Sequence, residues 1–414
     1  MHDTTAVATI QPKPSVSPSG NPHYAALHRR FPSTQYLRAG ARRRIPHFAF
    51  EYSDGGAGNG DTGIKRNWTA FDAIELAPRY GVMPSLPPTS IELFGRRFSA
   101  PIGVAPMGGP SIVWPGADEY LARAAQRASV PYMLSTVGGA TIERIAEVAP
   151  DVFWFQLYRF AANDHAIGLD LVRRAERVGC RTLVLTLDVP VRTTRPREAA
   201  TGLAGSFRVD GSIVLQSALA PAWAMALWRN GTPRFANVRA YAGEGVSLSE
   251  LVAFTRREMG GAFTWDEVAK YRQSWKGNLV LKGVMHPADA EKAVALGADG
   301  VIISNHGGRQ SDALPASIDV LPAIVREVGS RTTVMIDSGV RSGSDIVRAC
   351  ALGASACFAG KAFLWGLGAL GAEGPGHVID LLIEETQAAM GQLGALAVEA
   401  LRSLAIRHPG EMRF

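Results

Sequence analysis

His306 and Arg309 stand three residues apart, with Gly307-Gly308 between them, where the apolar run Val301-Ile302-Ile303 stops at the polar Ser304-Asn305. A histidine exchanges a proton near neutral pH. An arginine presents a rigid fork of donors that matches a carboxylate. Two glycines let the backbone turn tightly enough to deliver both side chains at one strand end. Base and clamp together suit a substrate that carries a carboxylate beside a C–H carbon bearing a hydroxyl. The plain alternative for His306 taken alone is a loop histidine bonding a carbonyl.

Such a pair must be held by something. From Pro101 onward short apolar strands alternate with amphipathic helices: strands at Ile102–Ala105, Tyr132–Ser135, Phe153–Leu157, Leu183–Asp188, Leu279–Lys282, Val301–Ser304, Val334–Asp337 and Ala356–Ala359, with helices such as Asp118–Ala128, Ile167–Val178, Pro287–Leu296 and Ser344–Leu352. Continuous apolar strands bounded by Gly, Asp or Ser fit a parallel sheet buried on both faces. Eight units predict an α/β fold, a closed (β/α)8 TIM barrel, with an open doubly wound sheet as the alternative. An N-terminal helical segment precedes it, residues 1–33 read as a flexible tail, and 34–414 form the barrel domain. The stretch 190–262 is a long excursion after strand four. It suggests a lid, a surface packed on a neighbouring subunit, or a loop that touches a membrane.

The carboxyl ends of barrel strands carry the chemistry of this fold. Here they supply Ala105-Pro106-Met107-Gly108, Ser135, Gln156 with Tyr158, Thr186 with Asp188 and then Arg195, Lys282, Ser304 with His306 and Arg309, Asp337 with Gly339 and Arg341, and Gly360-Lys361. Glycine-rich turns with cations after strands seven and eight predict a phosphate site at Arg341 and Lys361. Lys282 ends an apolar strand and needs an anionic partner there. A salt bridge to a barrel carboxylate, a Schiff-base role, or a neighbouring electron-rich cofactor would each explain it.

Composition narrows the classes. The 414 residues are 47% hydrophobic with a net charge of +6, compatible with an anionic substrate, an anionic cofactor or a membrane surface. No stripe of basic residues and no motif supports nucleic acid. Cys180, Cys350 and Cys357, an odd set without metal spacing, read as reduced core thiols, and no metal site is expected. With no signal pattern and no apolar run of about 20 residues, the expectation is a cytoplasmic protein, with peripheral contact on the inner face of the membrane as its variant.

Together the motifs Ser304–Gln310, Asp337–Gly343, Phe155-Gln156-Leu157-Tyr158, Leu281-Lys282-Gly283 and Phe50–Ala57 resemble the FMN-dependent α-hydroxy-acid oxidase and dehydrogenase family, from about Gln35 to the C-terminal helices. The resemblance implies oxidation of an (S)-2-hydroxy acid to a 2-oxo acid with FMN as cofactor. It implies His306 as base, Asp188 as its partner, Arg309 and Arg195 with Tyr52 on the substrate carboxylate, and Tyr158 near the reacting hydroxyl. Lys282 would face the flavin. Gln156, Thr186, Ser135 and Ser304 would bond the ring or ribityl chain, with Asp337 on ribityl. Gly339, Arg341, Gly360 and Lys361 would hold phosphate, and the backbone of Ala105, Pro106, Met107 and Gly108 would lie beside the flavin.

Three positions depart from the family pattern: Gly360-Lys361 where Gly-Arg is usual, Gly58-Asn59-Gly60-Asp61 with one extra residue where an acidic pair is usual, and Ser311 after Gln310. Pro221-Ala222-Trp223, Asn230-Gly231-Thr232-Pro233 and Phe263-Thr264-Trp265 with Trp275 look like the mandelate and lactate dehydrogenase branch. A small Gly108 leaves room for an aromatic, mandelate-like side chain. Small aliphatic substrates such as lactate or glycolate, or another FMN-binding barrel such as an isomerase, are the alternatives. The electron acceptor is oxygen, or a quinone or other carrier, and the resemblance suggests a tetramer.

Overall fold

The computed structural model describes residues 22–82, 85–191, 193–203 and 210–414. Most of the expected N-terminal tail lies outside them. Its last part does not fit a flexible tail: Pro22–Arg30 is helical, with the Tyr24 ring tilted against those of His28 and His377.

Eight parallel strands close into a barrel: β1 (Ile102–Val104), β2 (Tyr132–Ser135), β3 (Phe153–Leu157), β4 (Thr182–Thr186), β5 (Asn278–Val284), β6 (Gly300–Ile303), β7 (Thr333–Asp337) and β8 (Ala356–Ala359). They pair in chain order, and β8 pairs with β1 to complete the ring. All eight expected strands are present. The first, fourth and sixth end one or two residues earlier than the apolar pattern suggested, because Ala105, Asp188 and Ser304 already belong to the turns that carry the site. The strands are buried almost throughout, as a sheet sandwiched between filled interior and helical ring requires.

The surrounding helices follow their sequence signals. The expected helix over 118–128 runs Ala117–Ala128, that over 287–296 runs Pro287–Ala295, and that over 344–352 runs Gly343–Ala351, opened by a Ser342 side chain that caps the Asp345 N–H. The helix expected over 167–178 is part of Ala162–Arg177, whose first turn is broken by left-handed Asn163, Asp164 and His165. Cys180, Cys350 and Cys357 are buried free thiols.

Three N-terminal helices, Thr34–Arg44, His47–Asp54 and Thr62–Asp72, lie toward the mouth and bring Tyr52 over it. In the segment with one extra residue, Asp61 sits at the N-cap position of the third helix but makes no capping bond. Its carboxylate instead accepts from the Gly56 N–H and pairs with Arg197.

The excursion after β4 is built of short helices: Pro196–Ala200, Gly211–Ala218, Pro221–Asn230, Ala236–Ala242 and Leu248–Glu258. Its tryptophans divide. Trp223 is buried edge-on to Phe48 and donates to the Ile112 carbonyl, whereas Trp228 is 81% exposed.

Candidate active site

At the carboxyl end of the barrel the turns converge on a cavity of about 930 Å³. Its floor is polar and its outer wall apolar, the wall coming mainly from Leu203, Ile213, Trp223, Leu227, Phe235 and Met259 of the excursion.

The turn after β6 places the base. His306 adopts a left-handed backbone (φ 59°), and so does Ser338 (φ 76°) in the turn after β7. Both are uncommon for residues with a Cβ and are held only where the surroundings dictate them. The surroundings here are explicit. The Ser304 hydroxyl accepts from the His306 N–H, and the Ser338 hydroxyl accepts from the Gly307 N–H. Asn305, buried beneath, exchanges two hydrogen bonds with Asn67 and accepts from the Gly308 N–H. Gly308 (φ 71°) must be glycine, since a Cβ would stand 2.7 Å from the Ile64 nitrogen.

Held this way, His306 Nδ1 lies 3.0 Å from Asp188 Oδ1. Asp188 reaches this position because β5 bulges after Lys282. Gly283 takes φ 95° there, and any Cβ on it would meet the Asp188 Cβ at 2.5 Å. Burial alone would raise the Asp188 pKa, but His306 and Lys282 override it and hold the carboxylate below its ordinary value.

Lys282 is fully sequestered. Its ammonium donates to the Ser304 hydroxyl at 2.8 Å and lies 3.0 Å from Asp337 Oδ2 and 3.9 Å from Asp188 Oδ2. Burial disfavours its charge, yet the two carboxylates more than compensate, and the amine stays protonated well above neutral pH. The salt bridge to a barrel carboxylate expected of Lys282 is present. Gln156 donates to the Thr186 hydroxyl, while its Oε1 is buried without a partner among the described residues. Ser135 pairs with Gln156 across β2 and β3, and Thr186 with Lys282 across β4 and β5. These groups form one polar floor.

Above it stand the tyrosines and arginines. The Tyr52 hydroxyl donates to the Gly108 carbonyl, and Ala105, Pro106, Met107 and Gly108 line the cavity. Tyr158 lines it too, its hydroxyl pushed up to about 12, mainly by burial. Arg195 Nε donates to the Arg309 carbonyl at 3.1 Å. Arg309 donates to the carbonyls of Tyr52 and Gly55 and covers the Tyr52 ring. Both guanidinium groups meet Glu198, Arg309 at 2.5 Å and Arg195 at 3.5 Å. Sequence reasoning did not single out Glu198. Its position three residues after Arg195, at the start of a proline-led helix, was the signal available. Arg197 also went unnoticed; it ties Glu51, Asp54 and Asp61 together and so fixes the segment that carries Tyr52.

The residues expected at a phosphate separate. Arg341 lines the cavity but also pairs with Asp72 and Asp345. Lys361 lines it as well, yet its ammonium donates to the carbonyls of Ser53, Asp54 and Gly55 at the end of helix His47–Asp54. Burial, then the nearby Arg309 charge, lowers its pKa to about 7. What remains open for an anion is backbone. Gly360 opens helix Lys361–Leu370, whose first N–H groups have no acceptor within the helix, and the space at Gly360 is free to 3.8 Å. The unpartnered Gln156 acceptor, the buried ammonium of Lys282 and this helix start fit a flavin with a phosphate tail.

Residues 41–408 match the model of the FMN-dependent dehydrogenase family. An L-lactate dehydrogenase of Pectobacterium atrosepticum is 37% identical over 90% of this chain and 95% of its own. One from Caulobacter vibrioides is 38% identical over 89% and 96%. Among solved structures, the monotopic membrane protein (S)-mandelate dehydrogenase superposes with a TM-score of 0.85 at 35% identity, covering 90% of this chain and 98% of that one. A mandelate oxidase variant with (S)-mandelic acid gives 0.77 at 33% identity, over 91% and 99%. The chain belongs to the FMN-dependent α-hydroxy-acid dehydrogenase family and is an α-hydroxy-acid oxidoreductase.

Proposed function

We propose that this enzyme oxidises an (S)-2-hydroxy acid with a bulky apolar, aromatic side chain to the corresponding 2-oxo acid. The observation that carries the substrate class is the apolar lining of the cavity that also holds His306. Gly108 contributes no side chain there, and the excursion contributes Ile213, Trp223 and Leu227.

In this reading Arg309 and Arg195 hold the carboxylate, with Tyr52 beside them. Charge-assisted bonds of this kind orient as well as bind. The carboxylate fixed, the hydroxyl falls between Tyr158 and His306. His306 Nε2 takes the proton, and Asp188, bonded to Nδ1, keeps the ring oriented and stabilises the imidazolium. Lys282, kept charged by Asp337 and Asp188, would offer a positive charge to the ring system of the cofactor. Gln156, Thr186, Ser135 and Ser304 would supply its hydrogen bonds, Asp337 would meet the ribityl chain, and the phosphate would lie on the backbone at Gly339 and Gly360 with Arg341 and Lys361 near it. FMN, when bound, accepts the two electrons of the reaction. The apolar wall excludes water and buries the substrate ring.

No single helix among the described residues is long and apolar enough to cross a membrane. Helices Gly211–Ala218 and Pro221–Asn230, bent by 104° to one another, expose Val214, Leu215, Leu219 (76%) and Trp228 (81%), with Arg229 beside them. This apolar face with an adjacent cation supports peripheral contact with a membrane, where an apolar electron carrier would be at hand.

The test is anaerobic bleaching of the purified yellow protein by glycolate, L-lactate, (S)-2-hydroxyoctanoate and (S)-mandelate. Mandelate should bleach fastest at low concentration. Glycolate as the best substrate would remove the aromatic reading, and no bleaching by any of the four would remove the activity itself.

A further inference from the structure

Glu198 is 9% exposed, lines the active-site cavity, and touches both arginines assigned to the substrate carboxylate. The other charged groups nearby have partners of their own. Arg197 is held by Glu51, Asp54 and Asp61, Lys282 by Asp337 and Asp188, and His306 faces Asp188. Lys361 spends its donors on main-chain carbonyls beside Asp54. Two arginines against one glutamate leave the Arg195–Arg309–Glu198 cluster with one net positive charge, while Arg234 and Arg256 line the same cavity.

We propose that Glu198 is a positioning and specificity residue that sets this charge, so that the site accepts 2-hydroxy acids with a single carboxylate and disfavours those carrying a second. The inference rests on the 2-hydroxy-acid reading above. Its physical basis is simple. A first carboxylate neutralises the remaining charge. A second carboxylate held beside this cluster faces Glu198 and must give up part of its water to the apolar wall. A unit charge about 6 Å away at an effective dielectric near 20 changes affinity tenfold or more. Glu198 also holds the Arg309 fork in place before substrate arrives, which lowers the ordering cost of binding.

The test compares (S)-malate with its 4-monomethyl ester, two substrates of one skeleton that differ in a single distal charge. Wild-type kcat/KM should favour the ester at least tenfold. Glu198→Gln should shrink that preference to threefold or less, mainly through KM for malate, while Glu198→Asp should keep it. Calorimetric binding of malonate and monomethyl malonate, in which no oxidation occurs, should follow the same order. A wild type that treats malate and its ester alike overturns the proposal. So does a Glu198→Gln enzyme that slows on both substrates with the ratio unchanged, because a merely structural role predicts that. If Glu198→Gln does not retain FMN, the wild-type and Glu198→Asp ratios decide. Failure of the activity reading looks different: lactate and mandelate would not bleach the flavin either, while the malonate pair would still report the charge of the site.

Discussion

Asp188 and His306 are separated by 118 residues, yet their side chains meet at 3.0 Å because β4 and β6 end at the same mouth and the strand between them, β5, bulges at Gly283 to let Asp188 in. The pair is thus a product of barrel closure. His306→Ala should leave FMN bound and slow anaerobic flavin reduction by about 10² to 10⁴, the usual contribution of a positioned base. Stopped-flow absorbance reads this directly. A variant that bleaches at near wild-type rate would take the base role away from His306.

Gly283→Ala tests the same geometry from the other side. A methyl group there would stand 2.5 Å from the Asp188 Cβ on a backbone of φ 95°, so Asp188 must move or the strand must yield. Reduction should slow at least tenfold, with a loss of stability above about 1 kcal/mol from the conformation alone. Unchanged reduction kinetics with unchanged melting would show that Asp188 does not depend on the bulge.

Much of this site was legible in the chain. Strand ends in a barrel of this kind follow from apolar runs meeting Gly, Asp or Ser, so Lys282, His306 and Arg341 could be placed before any coordinates. Glu198 could not, because its meaning depends on Arg309, 111 residues later in the chain. The bulge at Gly283 was also hidden, since a glycine in a strand signals a close approach without saying of what. The place of Lys361 after strand eight predicts a phosphate ligand. Its contacts with the end of helix His47–Asp54 come from the N-terminal segment folding over the mouth, which no local pattern announces.

Those contacts have a pH consequence. The Lys361 pKa is lowered to about 7 by burial and by Arg309, so above that pH the amine is increasingly neutral in the apoprotein. A phosphate dianion, fully formed above its second pKa of about 6, favours the charged amine. FMN binding should then take up a proton, and FMN affinity should fall as pH rises from 7 to 9. Lys361→Arg, charged throughout, should flatten the profile. Fluorescence titration of apoprotein with FMN measures it, and a profile equally flat in the wild type would place Lys361 outside the phosphate site.

The exposed face of the excursion makes a separate prediction. Leu215 is 60% and Leu219 76% exposed. Burying each in a lipid interface would contribute on the order of 1 kcal/mol or more. Leu215→Glu with Leu219→Glu should cut co-sedimentation with anionic vesicles at least tenfold while leaving oxidation of a soluble substrate with a soluble dye unchanged. Equal sedimentation of both forms would assign this face to something other than lipid.

Substrate size depends on Gly108. Its Cβ position lies 2.9 Å from Val137 Cγ2 and opens otherwise into the cavity. Any side chain added there must displace Val137 or occupy the space proposed for the substrate ring. Full burial of an aromatic side chain contributes roughly 1.5–3 kcal/mol, which is about ten- to a hundredfold in kcat/KM. Gly108→Trp should therefore erase most of the advantage of mandelate over lactate while leaving lactate within a fewfold of its original rate. Retained FMN absorbance controls for damage to the cofactor site, whose neighbouring backbone includes this residue. The competing account is a ring seated elsewhere in the cavity, against Phe235 and Met259. In that case Gly108→Trp would slow both substrates alike, and Met259→Trp would produce the selective loss instead.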